Sequence, residues 1–137
     1  MKIICEVLEG GYMPERAHAL DAGFDIRTPE EIIIPPHCQA FVDSRVKVEI
    51  PKYCVGKLES KSGLCKKGIT TRGTIDAGYS GSIGVTIYNH SDEVVHFEAG
   101  NKITQLVIYP ILIIDEYVEG TVSGDIRGAA GFGSTGK

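Results

Sequence analysis

Short runs rich in β-branched residues recur along the chain, each bounded by turn formers: KIICEVL (2–8), EIIIP (31–35), RVKVEI (45–50), YCVGKLE (53–59), SIGVTIYN (82–89), EVVHFE (93–98) and KITQLVIYPILII (102–114). Gly, Pro, Asn and Asp separate them, in stretches such as PPH and NHSDE, and that punctuation reads as strands joined by turns. No window of twelve residues keeps a 3.6-residue apolar period, so long helices are not expected. One turn or two of helix fits SKSGLCKKG (60–68). The pattern predicts an all-β sandwich or barrel, with Pro110 marking a bend in the last strand run.

After residue 118 the pattern changes. EGTVSGDIRGAAGFGSTGK (119–137) holds six glycines and two large aliphatic residues, Val122 and Ile126. This divides the chain into a β domain, 1–118, and a flexible glycine-rich arm, 119–137.

Composition narrows the partners. With 137 residues, the chain suits one domain with a real core. A formal net charge of -4 argues against a nucleic-acid polymer held by a broad basic surface, and favours a small partner. The apolar stretch near the N-terminus is too short for a signal-peptide core or a membrane span, so a soluble, unprocessed, cytoplasmic protein is expected. The four cysteines form no C-x-x-C pair and the four histidines no metal-binding spacing; reduced thiols and no zinc site follow.

The last seven residues, GFGSTGK, match the spacing G-x-x-x-x-G-K through Gly131, Gly136 and Lys137. A phosphate-binding loop of that kind needs a strand before it and a helix after it. Neither is available here. A plain tail is the simpler reading, but a solvated tail gains nothing from the ring of Phe132.

Three glycine-bearing turns carry polar residues that a turn does not require. In DAGFDI, Asp25 stands between Phe24 and Ile26, facing solvent or a cation. In ESKSGLCKKG, Lys61, Ser62 and Gly63 open a short helical stretch, where a cation and free N–H groups suit an anion; a Ser N-cap explains Ser62 almost as well. In GTIDAGYSGSI, Asp76 precedes Tyr79, a ring flanked by glycines that bare its face to a flat ligand; a hairpin turn is the bland alternative. Together the turns supply carboxylates for Mg2+, a cation and N–H donors for phosphate, and two ring faces, Tyr79 and Phe132, for a sugar and a base.

Five segments in order resemble the five motifs of the trimeric dUTP diphosphatases (dUTPases): AGFDI (22–26), SKSGL (60–64), GTIDAGYSG (73–81), GNKITQLV (100–107) and RGAAGFGSTG (127–136). The resemblance implies a jelly-roll β fold, a homotrimer with shared active sites, and Mg2+-dependent hydrolysis of dUTP to dUMP and pyrophosphate, which limits dUTP and supplies dUMP for thymidylate synthesis. It implies that Asp76 activates the water that attacks the α-phosphorus, and that Asp25 holds the metal through water. Lys61, Ser62, Gly63 and Gln105 correspond to phosphate contacts. Tyr79 corresponds to the tyrosine that packs under the deoxyribose. Residues 69–73 correspond to the hairpin whose backbone reads uracil, so Thr70, Thr71, Gly73 and Ile75 are expected at the base. From the arm, Phe132 is expected to stack on uracil while Arg127, Gly133, Ser134 and Thr135 close over the γ-phosphate.

The chain departs from the family pattern at Lys61, where arginine is usual, at Ala130, where glycine is common, and at Arg72 beside the hairpin. Lysine keeps the charge but loses the planar bidentate fork. The related dCTP deaminases carry a catalytic glutamate in the strand that matches GVTIYN; here that position is Thr86, which leaves ring deamination without a proton carrier. A dUTPase acting mainly by binding a regulatory partner protein is a second alternative, and no insertion marks a surface for one.

Overall fold

The structure, a computed structural model, describes residues 1–136. Lys137, the last residue of the arm and of the G-x-x-x-x-G-K match, lies outside them. Eleven strands and one four-residue helix make up the regular structure among the described residues: β1 (Cys5–Val7), β2 (Gly23–Arg27), β3 (Ile32–Ile34), β4 (Gln39–Asp43), β5 (Val46–Val48), β6 (Cys54–Glu59), α1 (Ser62–Cys65), β7 (Ile69–Arg72), β8 (Thr74–Asp76), β9 (Gly84–Asn89), β10 (Val95–Phe97) and β11 (Lys102–Pro110).

All pairings are antiparallel. The largest sheet runs β2-β11-β6-β8 and the next β4-β9-β7; β1 pairs with β5, and β10 with β3. Alternation supplies the common core. In β9 the buried residues are Val85, Ile87 and Asn89, and in β6 they are Gly56 and Leu58; every second side chain faces inward, as the pleat requires. Ile26, Leu58, Ile75 and Leu106 from the large sheet share one cluster with Val42, Ile69, Val85 and Ile87 from the second. This is the expected all-β sandwich.

Each strand run read from the sequence contains a strand, but four strands lay outside those runs: β2, β4, β7 and β8. Of these, β2 and β7 place polar residues, Asp25 and Thr71, at buried positions, which breaks the alternation of apolar and polar residues along the strand. Pro110 does not bend a continuing strand. It pairs with Cys54, the first residue of β6, and ends β11 there. Its partner strand is used up, and a proline contributes no N–H to extend a ladder. One further bond, Ile111 N–H to the Tyr53 carbonyl at 2.8 Å, ties the chain down. Beyond it, residues 112–136 make backbone hydrogen bonds only to residues within the same segment.

Candidate functional site

Asp25 lies on β2 between two neighbours that fix its backbone. On one side it is paired with Gln105 of β11; on the other it forms a bridge with Glu15, whose carbonyl accepts the Asp25 N–H at 2.7 Å. Asp25 is buried, at 6% exposure, with Lys61 on one carboxylate oxygen and Lys102 on the other, the latter at 2.9 Å. Burial by itself raises the Asp25 carboxyl, but the two ammonium groups outweigh it and hold the group below the ordinary carboxylate range. The trio carries a net positive charge.

Lys102 was not singled out in the sequence, and a bulge explains why. Across the β2–β11 ladder Gln105 faces Asp25, Thr104 faces Ile26 and Lys102 faces Arg27, with Ile103 as the extra residue. Residues three apart on a regular strand point to opposite faces; the bulge turns Lys102 onto the face of Gln105 and Asp25. Gln105 is seated by an absence. A Cβ on Gly23 would stand 2.3 Å from Gln105 Oε1 and 2.9 Å from its Cβ. Across this gap the Gln105 amide donates to the Ser60 carbonyl at 3.3 Å.

Ser60 leads into α1. The residue preceding the helix is Lys61, extended at φ -73 and ψ 134, and no side chain caps the helix. Ser62 is therefore the first helical residue and not an N-cap, because the extended backbone that caps a helix is at Lys61. The N–H groups of Ser62 and Gly63 are among those a helix start leaves without intrahelical partners. Added bulk at Gly63 would meet nothing within 4 Å, so the loop is open there.

The second group lies on the other edge of the sheet. Asp76 ends β8 and is exposed. The Tyr79 N–H returns to the Asp76 carbonyl at 3.1 Å, with Gly78 at φ 93, the positive φ that a type II turn places at its third residue. This tight turn brings Tyr79 beside Asp76. The Tyr79 hydroxyl donates to the Ser82 carbonyl at 2.9 Å, and a Cβ at Gly81 would stand 2.3 Å from that hydroxyl. The ring is held but stays 48% exposed.

Asp76 and Tyr79 line a hollow of about 320 Å³ with Gly73, Ile75 and Phe41. Phe41 is a site neighbour that sequence reasoning missed, an exposed ring lying over Gly84. It pairs across β9 with Thr86, which pairs in turn with Arg72, so the three side chains share one face. Thr86, the residue matched to the deaminase glutamate, thus lies on the same sheet face as Phe41 and Arg72 and presents a hydroxyl, not a carboxylate.

The hairpin residues divide. Thr70 is half-buried, its hydroxyl 2.9 Å from His90 Nε2. Thr71 turns inward instead, 4% exposed, with its N–H bonded to Ser60 Oγ at 2.9 Å and its hydroxyl 2.6 Å from that of Thr104. Ile75 is a core side chain at 5% exposure, so only its backbone is open to a ligand. Arg127, Phe132, Gly133, Ser134 and Thr135 are exposed and stand apart from both groups; Phe132 is fully solvated.

The two groups are far apart in one chain. From β2 to β8 is three strand steps, about 14 Å at ~4.8 Å each. Along β6, Glu59 at the Asp25 level and Val55 at the Asp76 level are four residues apart, about 13 Å at ~3.3 Å per residue. Asp25 and Asp76 are therefore on the order of 20 Å apart.

Among the described residues, no three His, Cys, Asp or Glu side chains gather as a metal cluster. Mg2+ is commonly held by substrate phosphates, waters and one or two carboxylates. A single buried Asp25 with both oxygens paired to ammonium groups can reach an ion only through water, and only where a phosphate draws one of the lysines to itself. It does not fit a cage built by the protein alone.

The fold and these two groups describe an all-β protein with a buried carboxylate between two lysines on one sheet edge and a carboxylate beside an exposed aromatic ring on the other. The dUTPase family profile matches residues 10–136. The chain belongs to the dUTPase family. The deoxyuridine 5'-triphosphate nucleotidohydrolase of Clostridium tetani (strain Massachusetts / E88) is 40% identical, with 94% of this chain and 92% of that one aligned. That of Clostridium novyi (strain NT) is 41% identical over 99% of each. Among solved structures, the Staphylococcus bacteriophage 80alpha dUTPase with dUpNHpp is similar at a TM-score of 0.88 and 33% identity, over 99% of both chains. A dUTPase from phage phi11 of S. aureus, for which coordination of a structural Mg(II) ion has been described, is similar at a TM-score of 0.80 and 31% identity, over 90% of this chain and 100% of that one.

Among the described residues, no helix is long and apolar enough to cross a membrane.

Proposed function

We propose that this chain hydrolyses dUTP to dUMP and pyrophosphate, in a homotrimer whose active sites each combine groups from different copies. The observation that carries this reading is the separation of the phosphate-gripping group from Asp76. A general base has to lie within about 3 Å of the water it deprotonates, so Asp76 cannot serve a triphosphate bound at Asp25 and Lys61 of its own chain. A second copy presenting its Asp76 edge to the first copy's Asp25 edge completes one site. Apolar surface favours such assembly: Leu112, Tyr117 and Val118 are 90%, 91% and 79% exposed, more than a solvated strap needs.

In the composite site, Lys61 and Lys102 attract the triphosphate, while the Gln105 amide and the N–H groups of Ser62 and Gly63 orient it. Asp76 takes a proton from water as its oxygen bonds to the α-phosphorus. The bond from that phosphorus to the bridging oxygen breaks, and pyrophosphate leaves with the electron pair. Asp25 is the residue that would reach a phosphate-bound Mg2+ through water, and the ion would supply positive charge opposite the leaving group. Tyr79 packs under the deoxyribose and excludes a 2'-hydroxyl. The backbone at Thr70 and Gly73 reads uracil, with Thr71 and Ile75 anchoring that hairpin from the core. The arm, 119–137, comes from a further copy; Phe132 covers the base, and Arg127, Gly133, Ser134 and Thr135 close over the γ-phosphate and exclude water.

A panel of dUTP, dCTP, dTTP and UTP, assayed for pyrophosphate and ammonia on one purified sample, tests the reading. Pyrophosphate from dUTP alone, with Mg2+ required, is the expected result; ammonia from dCTP or no turnover of dUTP overturns it. Sedimentation of the same sample is expected to give the mass of a trimer.

A further inference from the structure

The core beside the phosphate grip contains a hydroxyl chain for which packing alone gives no reason. Thr104 is fully buried and sits next to Gln105 on β11. Its hydroxyl donates to the Glu59 carbonyl at 3.0 Å. A hydroxyl has one proton, so the 2.6 Å contact between Thr71 and Thr104 has Thr71 as donor. Ser60 completes the link, its Oγ accepting the Thr71 N–H at 2.9 Å while the Gln105 amide reaches the Ser60 carbonyl at 3.3 Å. Valine fills the volume of threonine without needing partners, and a buried hydroxyl is costly unless bonded. Two hydroxyls at the one point where β11, β6 and β7 meet, at the exit to Lys61–Gly63 and at the root of the Arg72–Gly73 turn, hold two ligand-facing segments in register.

We propose that Thr104 is a positioning residue for the reaction: its hydroxyl locks the phosphate-gripping loop after β6 to the β7 strand that leads into the base-reading hairpin. This inference rests on the reading of the protein as a dUTP hydrolase. Without the Thr104 hydroxyl, the Thr71 hydroxyl loses its acceptor and the Glu59 carbonyl loses one donor. The loop and the hairpin root then shift relative to one another to find new ones.

Thr104→Val is the test. The expected result is a KM for dUTP raised about tenfold, equivalent to about 1.4 kcal/mol, with kcat within about twofold of wild type. Inhibition by pyrophosphate and by deoxyuridine should weaken together, because the lock touches both segments. Thr104→Ser keeps the hydroxyl and is expected to restore the wild-type KM. A Val variant with a lower Tm but wild-type KM and inhibition constants shows a merely structural threonine and overturns the proposal, as does a fall in kcat at unchanged KM. If circular dichroism shows Thr104→Val unfolded, Thr71→Val cuts the same hydroxyl contact from the hairpin side, and a wild-type KM there equally overturns it. Wild-type protein without turnover of dUTP would refute the functional reading itself; turnover with unaffected variants refutes this inference alone.

Discussion

Gly23→Ala puts the seating of Gln105 to a quantitative test. The added Cβ would stand 2.3 Å from Gln105 Oε1, 2.9 Å from its Cβ and 3.0 Å from its Cδ. Rotating the amide away relieves the first contact but not the second, since the Gln105 Cβ is fixed by a backbone paired with Asp25 on one side and Glu59 on the other. Ordinary carbon contacts start at about 3.5 Å, so β2 and β11 must separate by roughly half an ångström or more and the bond from Gln105 to the Ser60 carbonyl is lost. Overpacking of this kind costs about 1–3 kcal/mol, and displacing a substrate-positioning group by about 1 Å costs on the order of a hundredfold in rate. The expected outcome is a folded protein with a Tm lowered by several degrees and kcat/KM for dUTP reduced about a hundredfold. A Gly23→Ala enzyme with wild-type kcat/KM would refute the claim that this glycine exists to seat Gln105.

Other substitutions separate the remaining roles. Asp76→Asn is expected to abolish turnover while sedimentation still gives a trimer; wild-type turnover would remove Asp76 from the role of base. Phe132→Ala is expected to raise KM for dUTP while leaving Tm unchanged, since the ring is fully exposed in the free chain; a changed Tm would mean that it packs on the body. Asp25 also makes an acid-stability prediction. Its folded-state pKa lies below its unfolded one, so the stability it contributes is fully present above the ordinary carboxylate value of about 4 and is lost as pH falls through the lowered folded value. Melting curves between about pH 2 and 6 should therefore fall more steeply on the acid side for wild type than for Asp25→Asn; parallel curves would show that the lysines do not stabilise the carboxylate.

The all-β class was legible because buried strands leave a trace in order, one apolar residue in two, and β6 and β9 obey it. Turn chemistry made the chemical residues visible too: Asp25, Lys61, Asp76 and Tyr79 stand beside glycines in places where a plain turn has no use for them. Four things were decided only by the fold. The bulge at Ile103 put Lys102 on the face of Asp25, and nothing in one strand's sequence marks where its partner skips a residue. Thr71 and Thr104 are polar in sequence and buried in fact, because each supplies the other's hydrogen-bond partner from a different strand. Phe41 and Asp76 meet across a sheet that neither segment contains. And the distance between Asp25 and Asp76, set by strand order, places the motif of Asp76 and Tyr79 apart from those of Asp25, Lys61 and Gln105. Local pattern determined which elements form and which residues carry chemistry; pairing between distant strands decided which of those residues can act on the same phosphate, because register and strand order are properties of contacts that lie far apart along the chain.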